Sequence, residues 1–476
     1  MTERADKVRD YLFRQGARGR KGGPPDCVHL NDLTTEGTQN TEYTNPIDWF
    51  RLHAKDTRSP DKNVSGLQID GYFSDEPSRT TLAPGNLYGK RKNGDSVYRY
   101  DAQFVIRFPD PEHWENRIVI TGSPGVRGQY ANDFIISDHA LQKGCAFAST
   151  DKGNSGLRFY IADQGPGDAM DEWHKRIKHL AEVVKEAAKE YYGHFGKELK
   201  YTYVTGNSNG GYLTRYALEN DGDSLYDGGV DWQGTLFADP DSTDSDPEDK
   251  GPNLLTFLPQ ALKYYPYYPL RDARNAMIRA GFEPDQDFLW EYYYTVYWNL
   301  VQRIYREEFD PYYIGADDDY NYKERINPSP QAPELVQKQA QAIKAAVKRV
   351  SLTGDIKKRL ITLHGTLDAL FPIKKSADKY AELVKQAGRS EMHRCYRIEG
   401  GTHVDSLYDY PRNIDPTKDP DPLFREKLRP MLPCYKAAFD RLVEWVEDGV
   451  SPPNNQTVPK PEGDIVNSCS ELGKQG

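Results

Sequence analysis

The chain has 476 residues, 37% of them apolar, with 62 basic against 72 acidic side chains and a formal net charge of −10. Single hydrophobic cores stop growing near ~250–300 residues, so a catalytic-size core with an added unit is expected. The acidic balance and the lack of any Lys/Arg block argue against a nucleic-acid footprint, and no apolar run approaches the ~18–20 residues that cross a bilayer.

In chain order, residues 1–7 lack the apolar stretch of a signal peptide, which favours the cytoplasm unless a leader has been removed. The sequence is polar and turn-rich to about Pro60, and then residues 67–73 and 96–108 alternate like antiparallel strands at the edge of a mixed sheet. Residues 117–121 read as a strand running into the loop Gly122-Ser123-Pro124-Gly125. Another strand is expected over 143–150, and a long amphipathic helix from about Met170 to Tyr192. Strand, helix, strand in succession implies parallel pairing, with ligands beyond the carboxyl ends of the strands.

The next stretch, Tyr203-Val204-Thr205-Gly206-Asn207-Ser208-Asn209-Gly210-Gly211, sets Gly-x-Ser-x-Gly between a strand pattern and a helix pattern. That is the context of a nucleophile elbow, in which a tight turn projects the serine hydroxyl and flanking glycines leave room for it. A serine hydroxyl needs a histidine base and an orienting carboxylate, expected in the order Ser, Asp or Glu, His. The strand pattern 359–365 is followed by a loop carrying Asp368, and the pattern 393–399 by Gly400-Gly401-Thr402-His403. Ser208, Asp368 and His403 are therefore the candidate nucleophile, acid and base. His364, at a strand end, is expected to make structural hydrogen bonds; Asp405 is the alternative acid. For an oxyanion, the N–H of Asn209 and an N–H from the early loop, best supplied by Ser123, are the candidate donors.

Between a strand containing Val230 and Trp232 and the strand before Asp368, the periodicity from about 238 to 350 becomes an acidic loop followed by helices. This is the position of a lid. It is dense in tyrosine, and Tyr292, Tyr293 and Tyr294 are candidates for binding an aromatic or oxygen-rich substrate. The acidic residues Asp239, Asp241, Asp244, Asp246, Glu248 and Asp249, and the run Asp317 to Asp319, lack EF-hand spacing and read as solvated loops. No cofactor motif is present. Of the five cysteines, Cys145 and Cys395 fall in strand-like runs and read as buried thiols, while Cys27, Cys434 and Cys469 leave room for one bridge if the protein is exported.

The elbow Ser208-Asn209-Gly210-Gly211 and the segment Leu442-Val443-Glu444-Trp445-Val446-Glu447-Asp448-Gly449-Val450-Ser451-Pro452 together resemble the α/β-hydrolases. More narrowly, the elbow is similar to that of the 3-hydroxybutyrate oligomer hydrolases and the later segment to that of the tannase and feruloyl esterase group. Tannases have a cysteine before the serine and another after the histidine, joined as a disulfide; here those positions are Asn207 and Val404. Prolyl oligopeptidases share the elbow, but the chain ahead of Gly122 is too short for their propeller and shows no repeat. The resemblance implies a mostly parallel sheet flanked by helices, with a core built from 1–237 and 351–476 and a helical lid at 238–350. It also implies a serine carboxylic-ester hydrolase acting on a small or oligomeric aromatic or hydroxyacid ester, and it admits a structural calcium in the lid. An amidase, peptidase or acyltransferase of the same fold, or a non-catalytic binding protein, are the alternatives. Oligomeric state is not legible in the sequence.

Overall fold

Runs of apolar and β-branched residues too short for helices form the strands of one large sheet. In the computed structural model, which describes residues 2–19, 22–38, 51–73, 102–153, 156–160, 165–222, 224–241 and 251–473, the strands are β1 (Ala17–Arg18), β2 (Asp26–Leu30), β3 (Gly66–Phe73), β4 (Ala102–Pro109), β5 (Arg117–Gly122), β6 (Cys145–Thr150), β7 (Tyr201–Asn207) and β8 (Gly228–Trp232). A small separate pair, β9 (Phe237–Ala238) and β10 (Gly251–Pro252), precedes β11 (Arg359–Gly365), β12 (His393–Ile398) and β13 (Gln456–Val458). The large sheet runs β1-β3-β4-β6-β5-β7-β8-β11-β12-β13, with β2 also on β3. Pairing from β6 through β13 is parallel, whereas β1, β2, β3 and β4 pair antiparallel.

The antiparallel leading edge matches the expected one. Its second strand begins at Ala102, and residues 96–101 lie outside the described residues. The parallel strands are apolar on both faces, as sheets covered on both sides require: Ile118 to Ile120 and Tyr203 to Val204 are buried. The helix Asp168–Gly193 packs on β5 and β6, Asn209–Glu219 on β7 and β8, and Leu432–Glu447 on β8 and β11.

The order of the strands creates the crevice. From β5 the chain moves outward to β6, then returns past β5 to β7, so the loops after β5 and β7 leave the sheet in opposite directions. The segment after β8 is mainly helical, including Leu254–Tyr264, Arg271–Ala280, Trp290–Tyr293, Asn299–Phe309, Tyr322–Ile326 and Glu334–Val350. Its buried residues Phe257, Phe282, Trp290 and Trp298 belong to the same continuous apolar core as the sheet. The two remaining cysteine questions resolve together: Cys434 is bonded to Cys469, and Cys27, Cys145 and Cys395 are free thiols.

Candidate active site

Ser208 follows β7 directly and is held at φ 58° and ψ −116°. That region is costly for any residue with a Cβ, and it persists only where the surroundings enforce it. Enforcement is visible: the Ser208 amide donates to Trp232 O at 2.9 Å, locking the turn to β8. A Cβ on Gly210 would collide with the carbonyl oxygen of Gly122, so the first turn of the helix after Ser208 can cross the end of β5 only as glycine.

His403 Nε2 lies 3.1 Å from Ser208 Oγ, and His403 Nδ1 lies 2.8 Å from Asp368 Oδ2. The second carboxylate oxygen of Asp368 accepts the amides of Leu370 at 2.8 Å and Phe371 at 2.9 Å. Burial alone would raise the Asp368 carboxyl; the charge and hydrogen bond of His403, followed by His364 and the Phe371 amide, outweigh it and hold the group below its ordinary value. Asp368 thus stays ionised although fully buried, while Ser208 and His403 keep 6% and 5% of their surface exposed. Phe371 meets the His403 ring edge-on at 4.8 Å, fixing its plane.

The acid and base loops are tied to each other. Leu367 N donates to Gly401 O at 2.9 Å, Gln233 Nε2 donates to Thr402 O at 2.9 Å, and a Cβ on Gly365 would strike the backbone of Gly401. His364 lies beneath them, its Nε2 2.8 Å from Phe371 O. Burial pushes it down to about 4, so it is neutral and donates that bond. Asp405 faces elsewhere: its carboxylate accepts the amides of Met431 at 2.7 Å and Leu432 at 2.8 Å, capping the helix Leu432–Glu447.

Two sequence expectations change. The Ser123 N–H donates to Thr150 O at 2.9 Å, continuing the β5–β6 ladder, and is not free for an oxyanion. Pro124 has no N–H and Arg127 N donates to Pro124 O at 3.1 Å, which leaves Gly125 and Val126 as the amides of that loop. Nor do Tyr292, Tyr293 and Tyr294 share one face, because successive helical residues point about 100° apart. Tyr293 is fully buried beside Asp368 and the His403 backbone, Tyr292 packs edge-on against Tyr410 at 5.6 Å, and Tyr294 is 36% exposed against Tyr265.

Four residues without a local motif also reach the site. Lys152, fully buried at φ 68°, donates from Nζ to Ser123 O at 2.7 Å and Ser123 Oγ at 2.6 Å. Tyr305 donates its hydroxyl to Asn209 Oδ1. Trp298 Nε1 donates to Ala369 O at 2.8 Å and Gln286 Nε2 to Asp368 O at 3.4 Å. Their partners are distant in sequence, and no local pattern marks them.

Among the described residues, no group of three or more His, Cys, Asp or Glu side chains is arranged to hold a metal ion. Asp317 pairs with Arg306 at 3.0 Å and Asp319 with Lys263 at 3.6 Å; Asp244, Asp246, Glu248 and Asp249 lie outside the described residues. No helix of the described residues is long and apolar enough to cross a membrane.

This sheet with its strained serine defines an α/β-hydrolase fold, and a family model described as an alpha/beta hydrolase domain matches residues 291–466. Among solved structures, the chain resembles feruloyl esterase B from Aspergillus oryzae at TM-score 0.52 and 13% identity, covering 94% of this chain and 91% of that one. It likewise resembles an esterase from Aspergillus oryzae at TM-score 0.52 and 12% identity, covering 94% and 90%. A tannin acyl hydrolase from Aspergillus niger follows at TM-score 0.47 and 14% identity, covering 93% and 86%. At such identities the similarity fixes the fold alone. No curated protein matches the chain.

Proposed function

We propose that the protein is a carboxylic-ester hydrolase working through an acyl-enzyme on Ser208. The hydrogen-bonded series Ser208, His403, Asp368, with the serine held in a strained turn, carries this reading. Its resemblance in fold to a feruloyl esterase and a second esterase supports esters over other acyl donors.

Ser208 Oγ attacks the ester carbonyl as His403 Nε2 takes its proton, and the charge on the tetrahedral oxygen is met by backbone amides. One is Asn209 N–H, which opens its helix and so has no helical acceptor. The second comes from Gly125 or Val126, in the loop whose Gly125 carbonyl is 3.4 Å from Asn209 Nδ2. His403 then returns the proton to the departing alcohol, and water repeats the sequence to free the acid. Asp368 keeps His403 in the tautomer with Nδ1–H and stabilises the imidazolium.

The helices between β8 and β11 act as a lid, and the substrate is an aromatic or hydroxyacid ester. Tyr292, edge-on to Tyr410 at 5.6 Å and tilted against Tyr297 at 5.9 Å, is the tyrosine assigned to an aromatic acyl group in this reading. The Cys434–Cys469 bridge favours an oxidising compartment. Assay of one preparation on short esters, hydroxybutyrate oligomers, feruloyl and galloyl esters and peptide amides tests the reading. Ester turnover lost in Ser208→Ala supports it; amide turnover exceeding every ester overturns it.

A further inference from the structure

Asn209 has two tasks at once. Its amide follows the nucleophile, and its side chain bridges two separate parts of the molecule. Oδ1 accepts the hydroxyl of Tyr305, on the helix Asn299–Phe309, while Nδ2 reaches Gly125 O at 3.4 Å. Tyr305 and Asn209 are buried and Gly125 is partly so, and Tyr305 is wedged between Phe159 at 5.4 Å and Phe237 at 5.7 Å. The Tyr305 hydroxyl also interacts with Thr235, but breaking its bond to Asn209 strands the buried Asn209 Oδ1 away from water.

The other end of the site is held from the same segment. Trp298, about two turns before Tyr305, donates to Ala369 O, and Gln286 donates to Asp368 O, so the acid loop and the oxyanion side are both attached to the helices after β8. A lid that only covered substrate would have no reason to bond to the backbone of the acid loop or to the residue after the nucleophile.

Resting on the serine-hydrolase reading above, we propose that Tyr305 is a positioning residue for the oxyanion site: its hydroxyl, through the Asn209 side chain, sets the Asn209 amide against the Gly125 loop. The consequence is kinetic. Ground-state binding of an ester is little affected when the amide drifts by a few tenths of an ångström, whereas the tetrahedral oxyanion depends on it, so the loss falls on kcat.

The test is Tyr305→Phe, which keeps the ring between Phe159 and Phe237 and removes only the hydroxyl, assayed on 4-nitrophenyl acetate with Tm measured in parallel. The expected result is a fall in kcat of about tenfold with KM unchanged, below the ~10²–10³-fold cost of deleting an oxyanion donor outright. Asn209→Ala should lose as much, and the double variant no more than either single, since the two side chains act as one unit. Should Tyr305→Phe fail to fold, Asn209→Ala carries the same prediction with Tyr305 in place. Folded single variants with kcat within twofold of the parent, an equal rise in KM, or additive losses overturn the proposal. Fluorophosphonate labelling of Ser208 in the parent, with Ser208→Ala inactive, separates this outcome from failure of the hydrolase reading, which instead shows as an active Ser208→Ala.

Discussion

At the scale of single residues, the site separates two carboxylates that the sequence left in competition. Asp368 faces His403 Nδ1, whereas Asp405 spends both oxygens on the start of a helix. Asp368→Asn should therefore reduce kcat by about 10⁴-fold through the wrong histidine tautomer with Tm little changed. Asp405→Ala should instead cost roughly 0.5–2 kcal/mol of stability, seen as a lower urea midpoint, and leave kcat within about tenfold at a permissive temperature. The reverse pattern would make Asp405 the acid. Lys152 gives a pH prediction. Burial lowers its amine to about 7 from 10.5, with Asp151 opposing that shift. Between those values the unfolded chain holds a proton that the folded one does not, so stability rises with pH across the window and the cost of burying the charge is fully present below pH 7. Urea unfolding of the parent and Lys152→Met at pH 7 and pH 10 should show the parent gaining on the variant at the higher pH. A constant difference would mean that the amine titrates near its ordinary value.

At the scale of elements, the sequence was informative where function coincides with a change of local pattern. β7, the glycine-flanked Ser208 and the following helix are contiguous, and strain at one residue requires glycines beside it, so the turn is written into adjacent letters. Asp368 and His403 were placed by a similar logic, each in the loop after a strand-like run. The Ser123 expectation failed because a loop sequence does not disclose where a ladder stops: one more β5–β6 bond consumed the N–H that the early turn was expected to present. The tyrosines misled in another way. Composition located an aromatic segment, but helical rotation divides Tyr292, Tyr293 and Tyr294 between an edge-on contact with Tyr410, the back of the acid loop and the surface. Of the three, Tyr292→Ala should reduce kcat/KM for a feruloyl ester by about tenfold while sparing 4-nitrophenyl acetate, as expected for lost binding contacts. Equal losses on both would remove Tyr292 from the substrate pocket.

At the scale of the whole molecule, the helices after β8 share their apolar core with the sheet and hydrogen-bond to the Asp368 loop and to Asn209, so they cannot be lifted off like a cap. The C-terminal end is fastened too: the Cys434–Cys469 bridge ties the helix that Asp405 caps to the segment beyond β13. Replacing both cysteines with serine should cost about 2–4 kcal/mol of stability, with the active-site geometry and kcat preserved. The proposed chemistry nevertheless begins at one atom, Ser208 Oγ. Treating the intact protein with a fluorophosphonate and mapping the adduct by peptide mass spectrometry tests it most directly. The expected result is a single adduct on Ser208, forming in step with loss of ester turnover. An adduct on any other residue, or full turnover in Ser208→Ala, would contradict the account.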